Sequence, residues 1–293
     1  MSASSAVIER HRSAGRFFSA AGVRSFVLED GDGPAVVCMH GLPESSFGYR
    51  KLLPELAVRG MRGIAFDLPG AGLADRPRDF DYSWTGLGRF ATAAVDALGL
   101  ERFHLLVHDV GGPVGFELAS ARADHVASLT VLNTFVEPGT WKRPWYLRPF
   151  VAPGLGELAI RFTPSAVFRR LMLGVGIQDP QSITKAELDA YLEMIRRDDG
   201  GRAMLHMART LVDTAANTGK DALYRRVLSD GRYPVQIVWG AHDPAVPLVP
   251  YGEIARRNAG LPAVVELPAK HFPQEDQAAA IAKHVAAIAG RSP

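Results

Sequence analysis

Short apolar runs, each ended by a turn-forming pair, punctuate the first half of the chain. PAVVCMHG stops at His40-Gly41, RGIAFDLPG at Pro69-Gly70, FHLLVHD just before Gly111-Gly112, and SLTVLN at Asn133. Each has the length of a strand, and an unbroken apolar run suits a strand buried on both faces, as in a parallel sheet. Ahead of them, VRSFVLEDGDG reads as a strand closed by a Gly-Asp turn. Helical periodicity fills the gaps, around 46–59, 84–98 and 112–122. Strand-helix alternation predicts an α/β fold with right-handed crossovers and a mostly parallel central sheet flanked by helices.

From about Thr134 to about Ser229 the pattern changes. No comparable buried strand occurs, and KAELDAYLEMIRR and AMLHMARTLVDT have helical spacing. Strand-like runs return with PVQIVWG and AVVELPA, and a helix from about Pro273 to Ala289 closes the chain. This predicts a core in two pieces, 1–134 and 230–293, with a helical cap of residues 135–229 inserted between two core strands. The insertion should lie over the carboxyl ends of the strands, where open α/β sheets hold their ligands. The opening MSASSAVIERHRSAGRFF has basic residues but no central apolar stretch. It is expected to be a loosely ordered extension rather than a secretory signal.

Composition narrows the possibilities. A chain of 293 residues with 47% hydrophobic and 22% charged residues fits one large domain, or one domain with an insertion. With 33 Lys+Arg against 31 Asp+Glu, a net charge of +2 gives no broad reason to expect nucleic acid or a membrane as partner. One cysteine excludes an internal disulfide and fits a reducing, cytoplasmic setting. No apolar run reaches the ~20 residues of a membrane-spanning helix. The richness in Ala, Arg and Gly suggests a bacterial source.

Candidate chemistry gathers where strands end. In FHLLVHDVGGPVGFELA a buried strand runs into Asp109, then into glycines and a helix. A reactive side chain at such a strand-turn-helix tip is the nucleophile-elbow design. An aspartate there can attack a saturated carbon and form an ester, or simply cap the helix. Asp243 follows the strand in VQIVWGAHDPAVP, and His271 follows the next in LPAKHFPQEDQ. Nucleophile, acid and base thus occur in the chain order of triads on this kind of sheet. His104 and His108 sit on one strand face without placeable carboxylate or cysteine partners, so no metal is expected, and Cys38 reads as a small core residue. No glycine-rich phosphate loop follows a strand, and no cofactor is expected.

These segments resemble the α/β-hydrolase fold family, in the branch that holds epoxide hydrolases and haloalkane dehalogenases. The likeness runs from about residue 17 to the end and is carried by HGLPESSFGYRKLLPEL, FDLPGAGLADRP, VHDVGGPVG, WGAHDPAVP and KHFPQEDQ. The resemblance implies that Asp109 forms an alkyl-enzyme ester and that His271, oriented by Asp243, activates the water that hydrolyses it. It implies an oxyanion hole from the backbone N–H groups of Leu42 and Val110, on a loop supported by His40, Gly41 and Pro43. One family variant carries the acid after the strand SLTVLN. Asn133 stands there, which favours Asp243, with Glu137 as the next acid to test.

Two departures bear on the leaving group. Dehalogenases of this branch commonly hold the halide with an indole directly after the nucleophile, where this chain has Val110, and with an Asn or Glu after His-Gly, where it has Leu42. Trp141 and Trp145 are the cap indoles available instead. Epoxide hydrolases donate to the opening oxygen from cap tyrosines. The position expected for the second one holds Ala208, leaving Tyr146, Tyr191 and His206 as candidate donors. The sequence therefore ranks an epoxide hydrolase first, acting on a small to medium apolar epoxide with water, and a haloalkane dehalogenase second. An esterase-like hydrolase or a binding protein on the same fold ranks below both. A monomer or homodimer is expected.

Overall fold

The computed structural model describes residues 2–141, 148–152, 154–210, 217 and 219–290. Its strands are β1 (Arg16–Ala20), β2 (Val23–Asp30), β3 (Ala35–Met39), β4 (Arg62–Phe66), β5 (Phe103–Asp109), β6 (Val126–Thr134), β7 (Val235–Gly240) and β8 (Val265–Leu267). They form one sheet in the order β1-β2-β4-β3-β5-β6-β7-β8. The β1/β2 and β2/β4 pairs are antiparallel, and the rest are parallel. The central strands β5 and β6 are buried along their whole length, which explains their unbroken apolar runs.

Helices α2 (Leu52–Ala57), α3 (Trp84–Ala97) and α4 (Gly111–Ala121) follow β3, β4 and β5, as the alternation predicts. Two apolar clusters cover the two faces of the sheet. Phe66, Phe90, Phe116 and Trp239 belong to one, and Phe26, Tyr49, Leu106 and Ile281 to the other. A third, around Phe168, Leu188, Tyr191 and Leu205, lies among helices inserted between β6 and β7. The described helices of that block are α5 (Arg148–Val151), α6 (Leu155–Phe162), α7 (Ser165–Leu171), α8 (Lys185–Arg196), α9 (Arg202–Thr210) and Lys220–Leu228. Thr184 caps α8 through a reciprocal capping box with Glu187.

The N-terminal segment departs from the expected loose extension. Residues Ala3–Ala14 form a helix, α1, capped by the Ser2 side chain, and β1 follows it directly. Ser4, Val7, Ile8 and His11 have the spacing of one helix face, but only two of the four are apolar, so periodicity alone does not reveal it. Ser4 donates to Glu193 on α8, while Val7 and Ile8 pack on the inserted block. His11 lies between Phe26 and Phe47, with ring centroids 4.9 and 5.2 Å away, and its Nε2 is 3.2 Å from Ser46 Oγ. Burial pushes its pKa down to about 4, so it packs as a neutral ring. The first helix thereby joins core and inserted block.

No described helix is long and apolar enough to cross a membrane.

Candidate active site

Asp109 stands at the turn from β5 into α4 with φ +49°, a strained left-handed conformation that lifts its side chain above the sheet. The turn is possible because its neighbours are small. A Cβ on Gly112 would fall 1.8 Å from Thr134 Oγ1, and one on Gly41 would fall 2.3 Å from both Cβ and Oδ1 of Asp109. Thr134 Oγ1 donates to the Asp109 carbonyl oxygen at 2.5 Å. The Leu42 N–H donates to Asp109 Oδ1 at 2.7 Å.

His271 lies between two carboxylates. Its Nε2 is 3.4 Å from Asp109 Oδ2, and its Nδ1 is 2.8 Å from Asp243 Oδ2. The other oxygen of Asp243 accepts the N–H groups of Ala245 and Val246 at 2.7 and 3.0 Å. Burial alone would lower the pKa of His271. The charge of Asp243, together with hydrogen bonds to both carboxylates and the charge of Asp109, more than offsets this and holds it well above the usual histidine value. Burial likewise works to raise Asp109, but the hydrogen bond and charge of His271, with smaller contributions from His108 and the Leu42 N–H, leave it below the usual carboxylate range. The surroundings of His271 thus favour its protonated form over the neutral ring.

Asn133, at the position of the alternative acid, supports Asp243. Its Nδ2 donates to Asp243 Oδ2 at 2.7 Å and its Oδ1 accepts the Gly240 N–H at 2.9 Å. Glu137 accepts from Arg225 and Asn258 at 3.2 and 3.0 Å, and is thus engaged elsewhere. His40 links its own loop to the one after β4. Its Nε2 accepts the Leu68 N–H, so Nδ1 carries the proton and donates to the Gly41 carbonyl, both at 2.9 Å. The Leu42–Pro43 peptide is cis, and Pro43 lines the cavity described below. The Val110 side chain packs into the core beneath the elbow and does not line that cavity.

A second polar group lies behind His271; His108, on the elbow strand, is at its centre, and the sequence motifs assign no role to its partners Glu44 and Gln274. His108 Nε2 donates to the His271 carbonyl oxygen at 2.6 Å, and its Nδ1 is 2.9 Å from Glu44 Oε2. Gln274 Nε2 donates to both Glu44 oxygens at 2.7 and 2.8 Å. The available signal is a glutamate three residues past Gly41, in a loop that follows a buried strand. His104 bonds Ser128 Oγ at 2.8 Å, and Cys38 is buried and unbridged. No group of three metal-ligating side chains occurs among the described residues.

Asp109 and His271 open into a cavity of about 210 Å³. Leu42, Pro43 and Phe135 wall it from the sheet side, and Ile160, Thr163, Val167, Phe168, Leu192 and Ala208 from the inserted helices. Among the described lining residues, the polar side chains besides Asp109 and His271 are Thr163 and Trp141. The Thr163 hydroxyl is spent on the Ala159 carbonyl at 2.5 Å, whereas the Trp141 indole makes only a long bond, 3.3 Å, to the Ala245 carbonyl.

Two of the expected donors are elsewhere. The Tyr191 hydroxyl donates to Glu275 Oε1 at 2.5 Å, and Glu275 is further held by Arg50 and Lys51. Tyr191 does not line the main cavity, because this buried ion cluster draws it toward the helix Pro273–Asp276. His206 is exposed on the outer side of α9, with its ring 5.9 Å from that of Tyr82. The helical turn that brings Ala208 to the cavity turns His206 away. Tyr146 and Trp145 lie outside the described residues.

Comparison with known proteins agrees with this architecture. Residues 34–278 match the family model for the alpha/beta hydrolase fold. The chain belongs to the α/β hydrolase fold family and is a hydrolase of that fold. Haloalkane dehalogenase 2 of Mycobacterium tuberculosis is 31% identical over 266 residues, covering 89% of this chain and 90% of its own. The ancestral haloalkane dehalogenase AncHLD2 superposes with a TM-score of 0.78 at 26% identity, covering 94% of this chain and 98% of its own. Epoxide hydrolase VrEH1 from Vigna radiata gives a TM-score of 0.76 over 94% of this chain and 97% of its own, but at 22% identity, a likeness of fold alone.

Proposed function

We propose that the chain hydrolyses haloalkanes through an ester on Asp109, with residues 135–229 as the cap over the site. The observation that carries this reading is the pairing of Asp109 with His271 at the floor of an almost wholly apolar cavity. A carboxylate stripped of water and aimed at an apolar pocket suits attack on an unactivated saturated carbon.

In this reading Asp109 Oδ2 attacks the carbon and the carbon–halogen bond breaks, its electron pair leaving as halide. Oδ1, already on the Leu42 N–H, becomes the ester carbonyl oxygen. Esterification removes the Asp109 charge, one of the causes that keep His271 protonated. His271 then loses its proton and can take one from water. The hydroxide so formed attacks the ester carbonyl carbon, and the N–H groups of Leu42 and Val110 stabilise the oxyanion. Collapse releases the alcohol and restores Asp109. The net reaction consumes one water and releases halide and a proton.

The choice of halide over epoxide reverses the ranking drawn from sequence. It rests on donors: Tyr191 and His206 do not reach the cavity, while Trp141 is in its wall with a long, replaceable hydrogen bond. An unsolvated leaving anion costs several kcal/mol, and an indole N–H offsets part of that. The 31% identity to a haloalkane dehalogenase supports the same choice. Epoxide opening is favoured by one observation, the absence of a side-chain donor at Val110, which harms halide release and not epoxide attack. The other cap candidate for its proton donor, Tyr146, lies outside the described residues. A panel of small bromoalkanes and terminal epoxides, scored for bromide and for diol, tests the reading. Bromide without diol supports it, and diol without bromide replaces it by the epoxide reading.

A further inference from the structure

Helix α6 is amphipathic in a way that its described surroundings do not use. Gly156 and Ile160 face inward, whereas Leu155, Leu158 and Phe162 are 54%, 55% and 68% exposed. Their spacing, i, i+3 and i+7, puts all three on one face. Val167 on the adjoining α7 extends the patch at 56% exposure. A cluster of large apolar side chains this exposed marks an interaction surface, whereas single exposed leucines do not.

On the described helices that carry or adjoin the patch, α5 to α7, exposed cations outnumber acids. Arg148 on α5, Arg161 on α6 and Arg170 on α7 are exposed. The guanidinium of Arg161 sits 5.6 Å from the Phe162 ring centroid, and Arg170 follows Val167 by three residues on the same helix. The one acid on these three helices, Glu157, is paired with Arg209 at 2.7 Å. The near-neutral net charge of the whole chain therefore hides a face that is both apolar and cationic. A second copy of this chain fits that face poorly, because a two-fold contact would set these arginines against themselves.

We propose that the outer face of α6 and α7 docks on an anionic lipid surface. Apolar side chains entering the headgroup boundary, with arginines around them, are the combination that holds an interfacial helix on anionic lipid. The position is also useful, since Val167 belongs both to the patch and to the wall of the cavity over Asp109. An apolar substrate dissolved in the lipid would reach the cavity beside the docked face. That last step rests on the proposed function, and the docking itself does not.

Vesicle flotation tests the docking without any catalytic readout. Vesicles of phosphatidylcholine with about a third phosphatidylglycerol are expected to carry the wild type up the gradient, and pure phosphatidylcholine much less. Leu158→Glu with Phe162→Glu should reduce the bound fraction by about tenfold or more. Neither residue lines the cavity, and both are exposed, so the melting temperature and turnover of a water-soluble substrate should stay unchanged. Replacing Arg148, Arg161 and Arg170 together by Gln should weaken binding and flatten its salt dependence. If the wild type fails to float with anionic vesicles, the proposal is overturned. The same holds if the double variant floats as well as the wild type, or if light scattering shows a dimer that Phe162→Glu dissociates.

Discussion

Asn133 and His271 meet on one oxygen of Asp243: the amide donates to Oδ2 at 2.7 Å and the imidazole at 2.8 Å. The residue at the end of β6 thus holds the acid at the end of β7, and the two strand ends act as one unit. Asp243→Asn is expected to slow ester hydrolysis by roughly the 10²–10⁴-fold of a disabled base, because its amide no longer stabilises the imidazolium. Adding Asn133→Asp should return part of the loss by moving the carboxylate to the neighbouring strand end. Single-turnover rates of the two variants check this. A double variant slower than Asp243→Asn contradicts the shared position.

In the proposed mechanism, protonation separates the two half-reactions. Asp109 is held below the usual carboxylate range, so attack should persist to mildly acid pH. His271 is held above its usual value and must lose a proton before it can activate water. Lowering the pH should therefore slow hydrolysis while leaving alkylation running. Quenched-flow sampling at about pH 5 should find more ester on the wild-type enzyme than at about pH 8. Equal ester at both values would mean that another group limits the second step.

Close approach at the elbow sets a strict size limit. Gly41→Ala would push a methyl group into Asp109, 2.3 Å from its Cβ. The Leu42 N–H would move off Oδ1, and kcat should fall by about 10²-fold or more. Circular dichroism distinguishes this from unfolding.

Tyr191 and Trp141 should behave differently on mutation. Tyr191→Phe leaves the buried cluster of Glu275, Arg50 and Lys51 short of one donor, which should cost stability of about 1–3 kcal/mol with little change in the chemical step. Trp141→Phe keeps the ring and removes the indole N–H at the cavity. It should slow bromide release by about tenfold or more. Thermal melts and a bromide assay read the two effects separately.

His11 ties acid sensitivity to the first helix. Its pKa is depressed by burial, from 6.5 to about 4, so the folded state binds this proton less readily than the unfolded chain. Its contribution is fully present above about pH 6.5 and is lost as pH falls through about 4. His11→Phe, which fits between Phe26 and Phe47, should remove part of that loss. Denaturant midpoints measured at several pH values would reveal it.

The strands are legible because burial on both faces writes an apolar run, and Asp109, Asp243 and His271 stand out as candidates because each lies at or within four residues of the end of such a run. The first helix was not, since a face made of serine, histidine and two aliphatic residues has little hydrophobic contrast. Tyr191 and His206 lie on α8 and α9 of the inserted block, but their direction depends on partners far away in sequence. Glu275 lies 84 residues beyond Tyr191, and no local pattern announces their bond. The Glu44–His108–Gln274 group is hidden for the same reason, its members coming from the loop after β3, from β5 and from the helix Pro273–Asp276.

The most direct measurement is intact-protein and peptide mass spectrometry of His271→Gln after incubation with a small bromoalkane. In the proposed mechanism, attack by Asp109 does not need His271, whereas hydrolysis of the ester does. The expected result is one alkyl group per chain, on the peptide that holds Asp109, with bromide released in equal amount. An adduct on another residue, or no adduct with a bromoalkane the wild type turns over, would contradict the ester at Asp109.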